Sequence, residues 1–150
     1  MHDTLPLFCA YPSLAHHLAH ISLGTFPTPV ISLPLLSSRY NNVTVYCKQD
    51  GLCGGKNEFG EILFGGNKVR KLEFLLAHAR AQDKTTVVTF GCAGSNHVVA
   101  TAAYAQYLGT NCIGMLKPQA NSIFVRKNLA LMNYYNAELY HFPSSGLRAL

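Results

Sequence analysis

The chain has 150 residues, 49% hydrophobic and only 13% charged, a balance that suits one ordinary domain with a real core and excludes intrinsic disorder. Its formal charge is +5, yet only Lys68, Arg70 and Lys71 cluster and no aromatic-interleaved basic stripe accompanies them, so nucleic acid is not an expected partner. Five cysteines without a C-x-x-C pair, no secretory signal and no run near the roughly 20 apolar residues of a membrane span point to reduced thiols in a cytoplasmic protein, with no membrane partner.

Residues 1–42 are punctuated by prolines at 6, 12, 27, 29 and 34, and only Ser13 to Leu23 has room for a short helix. His16 and His20 fall one turn apart there, but no further ligand cluster accompanies them and no metal site is expected. Val43 to Lys48 alternates β-branched and aromatic residues and reads as a strand. Gln49 to Gly60 reads as a solvent loop. Its Gly54-Gly55-Lys56-Asn57 cluster lacks a following amphipathic helix to aim the lysine.

The next glycine pair is different. Gly65-Gly66-Asn67-Lys68 opens a helix over Asn67 to Gln82, with Leu72, Leu75, Leu76 and Ala79 on one stripe. Arg70, Lys71, Glu73, Arg80 and Gln82 form its wetter side, and Asn67 is the expected N-cap, its side-chain oxygen accepting from a first-turn amide. A lysine at this positive helix mouth runs against the dipole. The position suits an amine that must be neutral to attack an aldehyde; a solvated lysine is the plain alternative.

Thr85 to Phe90 reads as a strand ended by Gly91, followed by a helix through Val98, Ala102 and Leu108 that stops at Gly109. Asn111 to Leu116 is a strand, Asn121 to Tyr135 a helix, Glu138 to Phe142 a strand and Pro143 to Gly146 a turn, beyond which a further helix starts to open. Strands alternating with helices predict parallel α/β architecture with right-handed crossovers. A composition shift near residue 60 separates an irregular segment, 1–60, from a regular α/β unit, 61–150. Ser95-Asn96-His97 sits where a strand's carboxyl end turns into a helix, the place where open α/β sheets bind ligands. Free amides there, with the Ser95 hydroxyl and the Asn96 amide, suit a carboxylate, although Ser95 reads equally as an ordinary N-cap.

Together, G-G-N-K-V-R-K-L-E-F-L-L and G-S-N-H-V-V-A-T-A-A resemble the 1-aminocyclopropane-1-carboxylate deaminase and D-cysteine desulfhydrase family of pyridoxal phosphate enzymes. Leu23 to Pro29 resembles that family's L-G-x-x-P-T-P entry, and Val45 to Asp50 its strand ending K-R-D-D. The resemblance implies a three-layer α/β/α fold of the tryptophan synthase β-like group (fold type II), here incomplete. Residues 1–60 would contribute to the larger cofactor domain and 61–150 would form the small domain. Lys68 would form the internal aldimine with pyridoxal phosphate and shuttle the α-proton. Asn67, Lys71 and Asn96 would be cofactor-side residues, and Ser95, a second catalytic candidate, would grip the substrate carboxylate with Asn96 and His97.

Three departures from the family pattern stand out: Gly94 where many relatives have glutamine, Gln49 in place of an arginine, and an inserted loop from about 51 to 62. The phosphate loop, the residue facing the pyridine nitrogen and the active-site tyrosine would come from a second half that residues 1–150 do not contain. The activity implied is that of a lyase or deaminase on a small amino acid, D-cysteine desulfhydrase-like, with homodimer assembly. The alternatives are the ring-opening deaminase, or a non-catalytic fragment with half a cofactor cradle.

Overall fold

The computed structural model describes residues 5–41, 43–56, 59–61 and 63–142. Prolines 6 and 12 decide the first elements, because proline at the first helical position loses no needed N–H. They open α1 (Pro6–Ala10) and a 3₁₀ turn over Pro12–His16. The helix expected over Ser13 to Leu23 is therefore shorter and earlier. Past Leu18 three backbone amides are claimed by a distant residue: Ile21 N–H donates to the Glu73 carbonyl at 3.0 Å. Leu23 and Gly24 N–H donate to Glu73 Oε1 at 2.9 and 3.3 Å.

β1 (Val30–Ser32) and β2 (Tyr46–Lys48) form an antiparallel pair with Val30 opposite Lys48, and α2 (Pro34–Ser37) lies between them. The strand expected from Val43 joins the ladder only at Tyr46. Pro34 has no N–H to continue the pairing, and Val45 N–H is diverted to Ser37 Oγ at 2.9 Å.

The stretch Gln49 to Gly60 is not the expected solvent loop. After a 3₁₀ turn over Asp50–Leu52, Cys53, Gly54 and Gly55 are buried. Gly55 N–H donates to the Tyr104 hydroxyl at 3.1 Å, and its carbonyl accepts from Leu63 N–H at 2.7 Å. Lys56 alone of the described cluster is exposed, and Asn57 lies outside the described residues. Long-range packing, invisible in local composition, draws the glycines inward.

The regular unit follows: α3 (Lys68–Ala81), β3 (Thr86–Cys92), α4 (Asn96–Tyr107), β4 (Asn111–Lys117), α5 (Ile123–Tyr134) and β5 (Glu138–His141). Each matches its expected position within two residues, and the expected turn after Phe142 lies outside the described residues. The strands form a parallel sheet in the order β3-β4-β5, with Thr86 opposite Asn111 and Ile113 opposite Glu138. Sequential order with right-handed crossovers puts α4 and α5 on one face. There Val98, Val99, Leu116 and Met132 form one core cluster. On the other face Val88, Phe90 and Tyr140 are exposed.

α4 is buried from Val98 through Ala105, which its small residues permit because it is hemmed in by α3, α5 and the sheet. A second cluster joins α3 to α4 and to the N-terminal segment through Leu23, Cys53, Leu63, Val69, Leu72, Leu76, Ala100 and Tyr104. The faces of α3 differ from the expected stripe in two places. Leu75 is exposed, whereas Glu73, assigned to the wet side, is only 4% exposed because it serves the amides of residues 23 and 24. Among the described residues no helix is long and apolar enough to cross a membrane.

Candidate active site

Two helix starts build the site. The first belongs to α3. Gly66 turns the chain with φ +116°, a left-handed conformation that favours glycine. The turn is pinned from both sides: Gly66 N–H donates to the Asp50 carbonyl at 3.0 Å, and its own carbonyl accepts from Val69 N–H at 3.1 Å and Cys53 Sγ–H at 3.2 Å. Asn67 is not the side-chain cap the sequence suggested. Its backbone is already helical (φ −60°, ψ −13°) and its side chain makes no capping bond, because Gly66 starts the turn one residue earlier. Lys68, half-buried, is the first residue of the helix; Lys71, exposed, follows one turn on.

Arg70 fastens this helix start to the N-terminal segment. Its guanidinium grips Asp50 at two points, Nη2 to Oδ1 at 2.7 Å and Nε to Oδ2 at 3.1 Å, and lies 4.4 Å above the Phe26 ring. Thr28 Oγ1–H donates to Asp50 Oδ1 at 2.8 Å, Arg70 Nη2 donates to Thr28 Oγ1 at 3.2 Å, and Lys48 Nζ donates to the Thr28 carbonyl. Hydrogen bonds from Arg70, then Thr28, hold the Asp50 carboxyl at about 2. The same partner raises Arg70. Thus the stretches resembling the family entry and strand act here as anchors for the lysine helix.

The second helix start belongs to α4. Ser95 is extended and its Oγ accepts from Val98 N–H at 3.4 Å, so the capping role is realised. Its hydroxyl hydrogen is left to donate elsewhere. Val99 N–H reaches the Ser95 carbonyl, while the amides of Asn96 and His97 have no partner among the described residues.

The turn before α4 is held by two residues of the next crossover. Gln119 Oε1 accepts from Gly94 N–H at 2.8 Å. Asn128 Nδ2 donates to the Gly94 carbonyl and to Asn96 Oδ1, both at 2.7 Å. A Cβ on Gly94 would come within 2.9 Å of Val125 Cγ2 and 3.0 Å of Gln119 Oε1, so a side chain here would have to push Val125 and Gln119 aside.

Packing through Val69, Leu72 and Leu76 against Ala100 and Tyr104 sets the two starts side by side. His97 registers the proximity: burial first, then the charges of Lys71 and Lys68, hold its imidazole below the usual histidine value. It lines a cleft with Leu72, Leu76, Val87, Thr89 and Thr101, and its Nδ1 is buried without a partner among the described residues. His97 thus faces the α3 side of α4, whereas Asn96 is exposed at the helix mouth.

Lys68, Lys71, Asn67, Ser95, Asn96 and His97 therefore all lie at two adjoining helix mouths. Asp50, Arg70, Thr28, Gln119 and Asn128 were not singled out from sequence. Asn128 carries the clearest missed signal: an amide in line with the apolar Val125, Leu129 and Met132 of its helix needs buried partners.

The chemistry of this donor set is that of an anion site with an amine. Lys68 and Lys71 bring positive charge, and the two free amides sit at the positive end of α4. The neighbouring carboxylates do not compete, since Asp50 is committed to Arg70 and Glu73 to His20, Leu23 and Gly24. A phosphorylated aldehyde fits such a set: the amine meets the aldehyde, the donors meet the oxygens. The histidines at 16, 17 and 20 belong to no cluster capable of holding a metal among the described residues.

The chain is similar to several known proteins. The D-cysteine desulfhydrase of Salmonella paratyphi A is 36% identical over 131 residues, a match covering 83% of this chain and 38% of that protein. A crystal structure described as an ACC deaminase homologue superposes with a TM-score of 0.71 at 30% identity, over 95% of this chain and 38% of that one. O-ureido-L-serine synthase shares the fold at TM-score 0.55 and 21% identity, over 85% of this chain and 37% of that one. The chain thus spans 38% of the length of the curated relatives it matches. With the model of the pyridoxal-phosphate-dependent enzymes matching residues 21–149, the chain belongs to that family.

Proposed function

We propose that these residues supply the lysine half of a pyridoxal phosphate site in a lyase or deaminase that acts on a small amino acid, most closely in the manner of a D-cysteine desulfhydrase. Residues 61–150 are read as the small α/β domain, and 1–60 as the segment that ties it to a larger cofactor domain. The observation that carries the reading is Lys68 at a pinned helix start beside a second helix start whose first two amides have no partner among the described residues.

Pyridoxal phosphate, when bound, withdraws electron density from the substrate Cα and so supplies the carbanion chemistry. The rest falls to the chain. Lys68 Nζ would hold the cofactor and would take the proton from the substrate Cα. Lys71 and Asn67 would serve the phosphate and cofactor side. Asn96 would donate to a cofactor oxygen. Ser95 and the amides of Asn96 and His97 bind the substrate carboxylate and so orient the bond that breaks. For D-cysteine the balance is loss of sulfide from Cβ and hydrolytic loss of ammonia, leaving pyruvate. Cytoplasmic location and a homodimer complete the proposal.

The test is borohydride reduction of the whole protein with pyridoxal phosphate, followed by peptide mapping, and then assay with D-cysteine and with 1-aminocyclopropane-1-carboxylate. Label concentrated on Lys68 with pyruvate and sulfide from D-cysteine is the expected result. A four-carbon 2-oxo acid from the cyclopropane substrate instead would reassign the activity to the ring-opening deaminase. Label spread over many lysines would reduce the chain to a non-catalytic fragment.

A further inference from the structure

We infer that Asn128 is a positioning residue that fixes which end of the Asn96 amide faces the ligand, an inference resting on the site reading above. Asn96, Asn128 and the Gly94 carbonyl form a directed hydrogen-bond chain. The Gly94 backbone carbonyl can only accept, so the end of Asn128 that meets it at 2.7 Å must be the NH₂. The second hydrogen of that NH₂ goes to Asn96, 2.7 Å away, which must therefore present its oxygen inward. Asn96 Nδ2, with both hydrogens, then faces outward at the mouth of α4.

An isolated asparagine can turn its amide either way at little cost. Here a backbone carbonyl settles the direction and Asn128 transmits it. Asn128 is suited to this, being 8% exposed and held in α5. Gln119 clamps the other side of the same residue through Gly94 N–H. The consequence is chemical: Asn96 is a donor only, so the oxygen it meets is an acceptor such as a phenolate or carboxylate, and a protonated hydroxyl seeking an acceptor is disfavoured.

The test uses Asn128→Asp, Asn96→Ala and the double variant in the whole protein, with pyridoxal phosphate affinity and visible absorption maximum as readouts and thermal unfolding as the fold control. Asp at 128 cannot donate, so Asn96 turns its oxygen outward. Affinity is expected to fall about tenfold or more, the scale of one hydrogen bond to a charged group, with a shifted absorption band. In the Asn96→Ala background the same change at 128 is expected to add nothing, because Asn128 acts through Asn96. Should Asn128→Asp fail to fold, Asn128→Ala replaces it with the same expectation. Unchanged affinity and band, or losses that simply add, would overturn the inference.

A second measurement separates this outcome from failure of the functional reading. In ¹⁵N-labelled protein without cofactor, the Asn128 side-chain NH₂ is expected to exchange slowly with water and that of Asn96 rapidly. If Lys68 takes no label but this pattern holds, the cofactor reading falls and the amide orientation stands; the reverse pattern sinks the orientation whatever Lys68 does.

Discussion

Asp50 shows how one residue converts a sequence motif into a constraint on Lys68. Its carboxyl is held at about 2 by the hydrogen bonds from Arg70 and Thr28. A carboxylate whose folded value lies below its unfolded one adds stability above the unfolded value, here 3.8, and loses it as pH falls toward the folded one. Acid unfolding is therefore expected to steepen between about pH 4 and pH 2. Asp50→Asn keeps the shape, weakens the grip on Arg70 and is expected to flatten that part of the urea-midpoint profile; an unchanged slope would show that the Arg70 pairing contributes nothing.

His97 acts in a different window and with a different cause. Burial, then Lys71 and Lys68, keeps it neutral in the folded state, while the unfolded chain protonates it below the ordinary value of 6.5. Stability is expected to rise with pH up to about 6.5 and level off, because the unfolded state binds the extra proton. The difference in unfolding midpoint between the parent and His97→Phe is expected to carry this slope. Parallel profiles for the two proteins would refute it.

At the scale of elements, α3 separates what local pattern reveals from what it hides. Its length, its lysine and most of its buried stripe are legible from the spacing of Leu72, Leu76 and the charged residues between them. The burial of Glu73 is not, because its partners Leu23 and Gly24 lie 50 and 49 residues away in the chain. The same holds for the Cys53 to Gly55 stretch, drawn into the core by Leu23, Leu63 and Tyr104. Capping was legible at Ser95, where the residue is extended, and not at Asn67, where the positive φ of Gly66 moves the helix start.

A mutation pair tests the Glu73 account. Glu73→Gln retains a side-chain oxygen for the Leu23 and Gly24 amides and loses the charge it presents to them and to His20, 3.4 Å away. It is expected to cost about 1–2 kcal/mol. Glu73→Ala strands both amides and is expected to cost about 2–6 kcal/mol, since each unsatisfied buried group costs roughly 1–3. Urea unfolding measures both; equal losses would mean that Glu73 acts through its charge and not through the backbone it serves.

Across the whole molecule, the composition shift near residue 60 marks a change of texture, not a break in the core. Leu23, Cys53 and Leu63 pack in one cluster with Val69, Leu72, Leu76, Ala100 and Tyr104, so the irregular segment and the α/β unit bury each other. Tyr104 is the tie: fully buried on α4, its phenol is pushed up to about 12 chiefly by burial and accepts from Gly55 N–H. Two parts sharing a core should unfold as one. Buried Cys53, in the first part, and buried Cys112, in β4, report on them separately, while Cys9, Cys47 and Cys92 are exposed from the start. Thiol labelling across a urea gradient is expected to give Cys53 and Cys112 one common midpoint. Tyr104→Phe leaves the Gly55 amide unsatisfied, about 1–3 kcal/mol, and is expected to lower both midpoints together by about 1 M. If Cys53 became reactive well before Cys112, the segment would be a separate unit and the anchoring of Lys68 through Asp50 would not share the stability of the sheet.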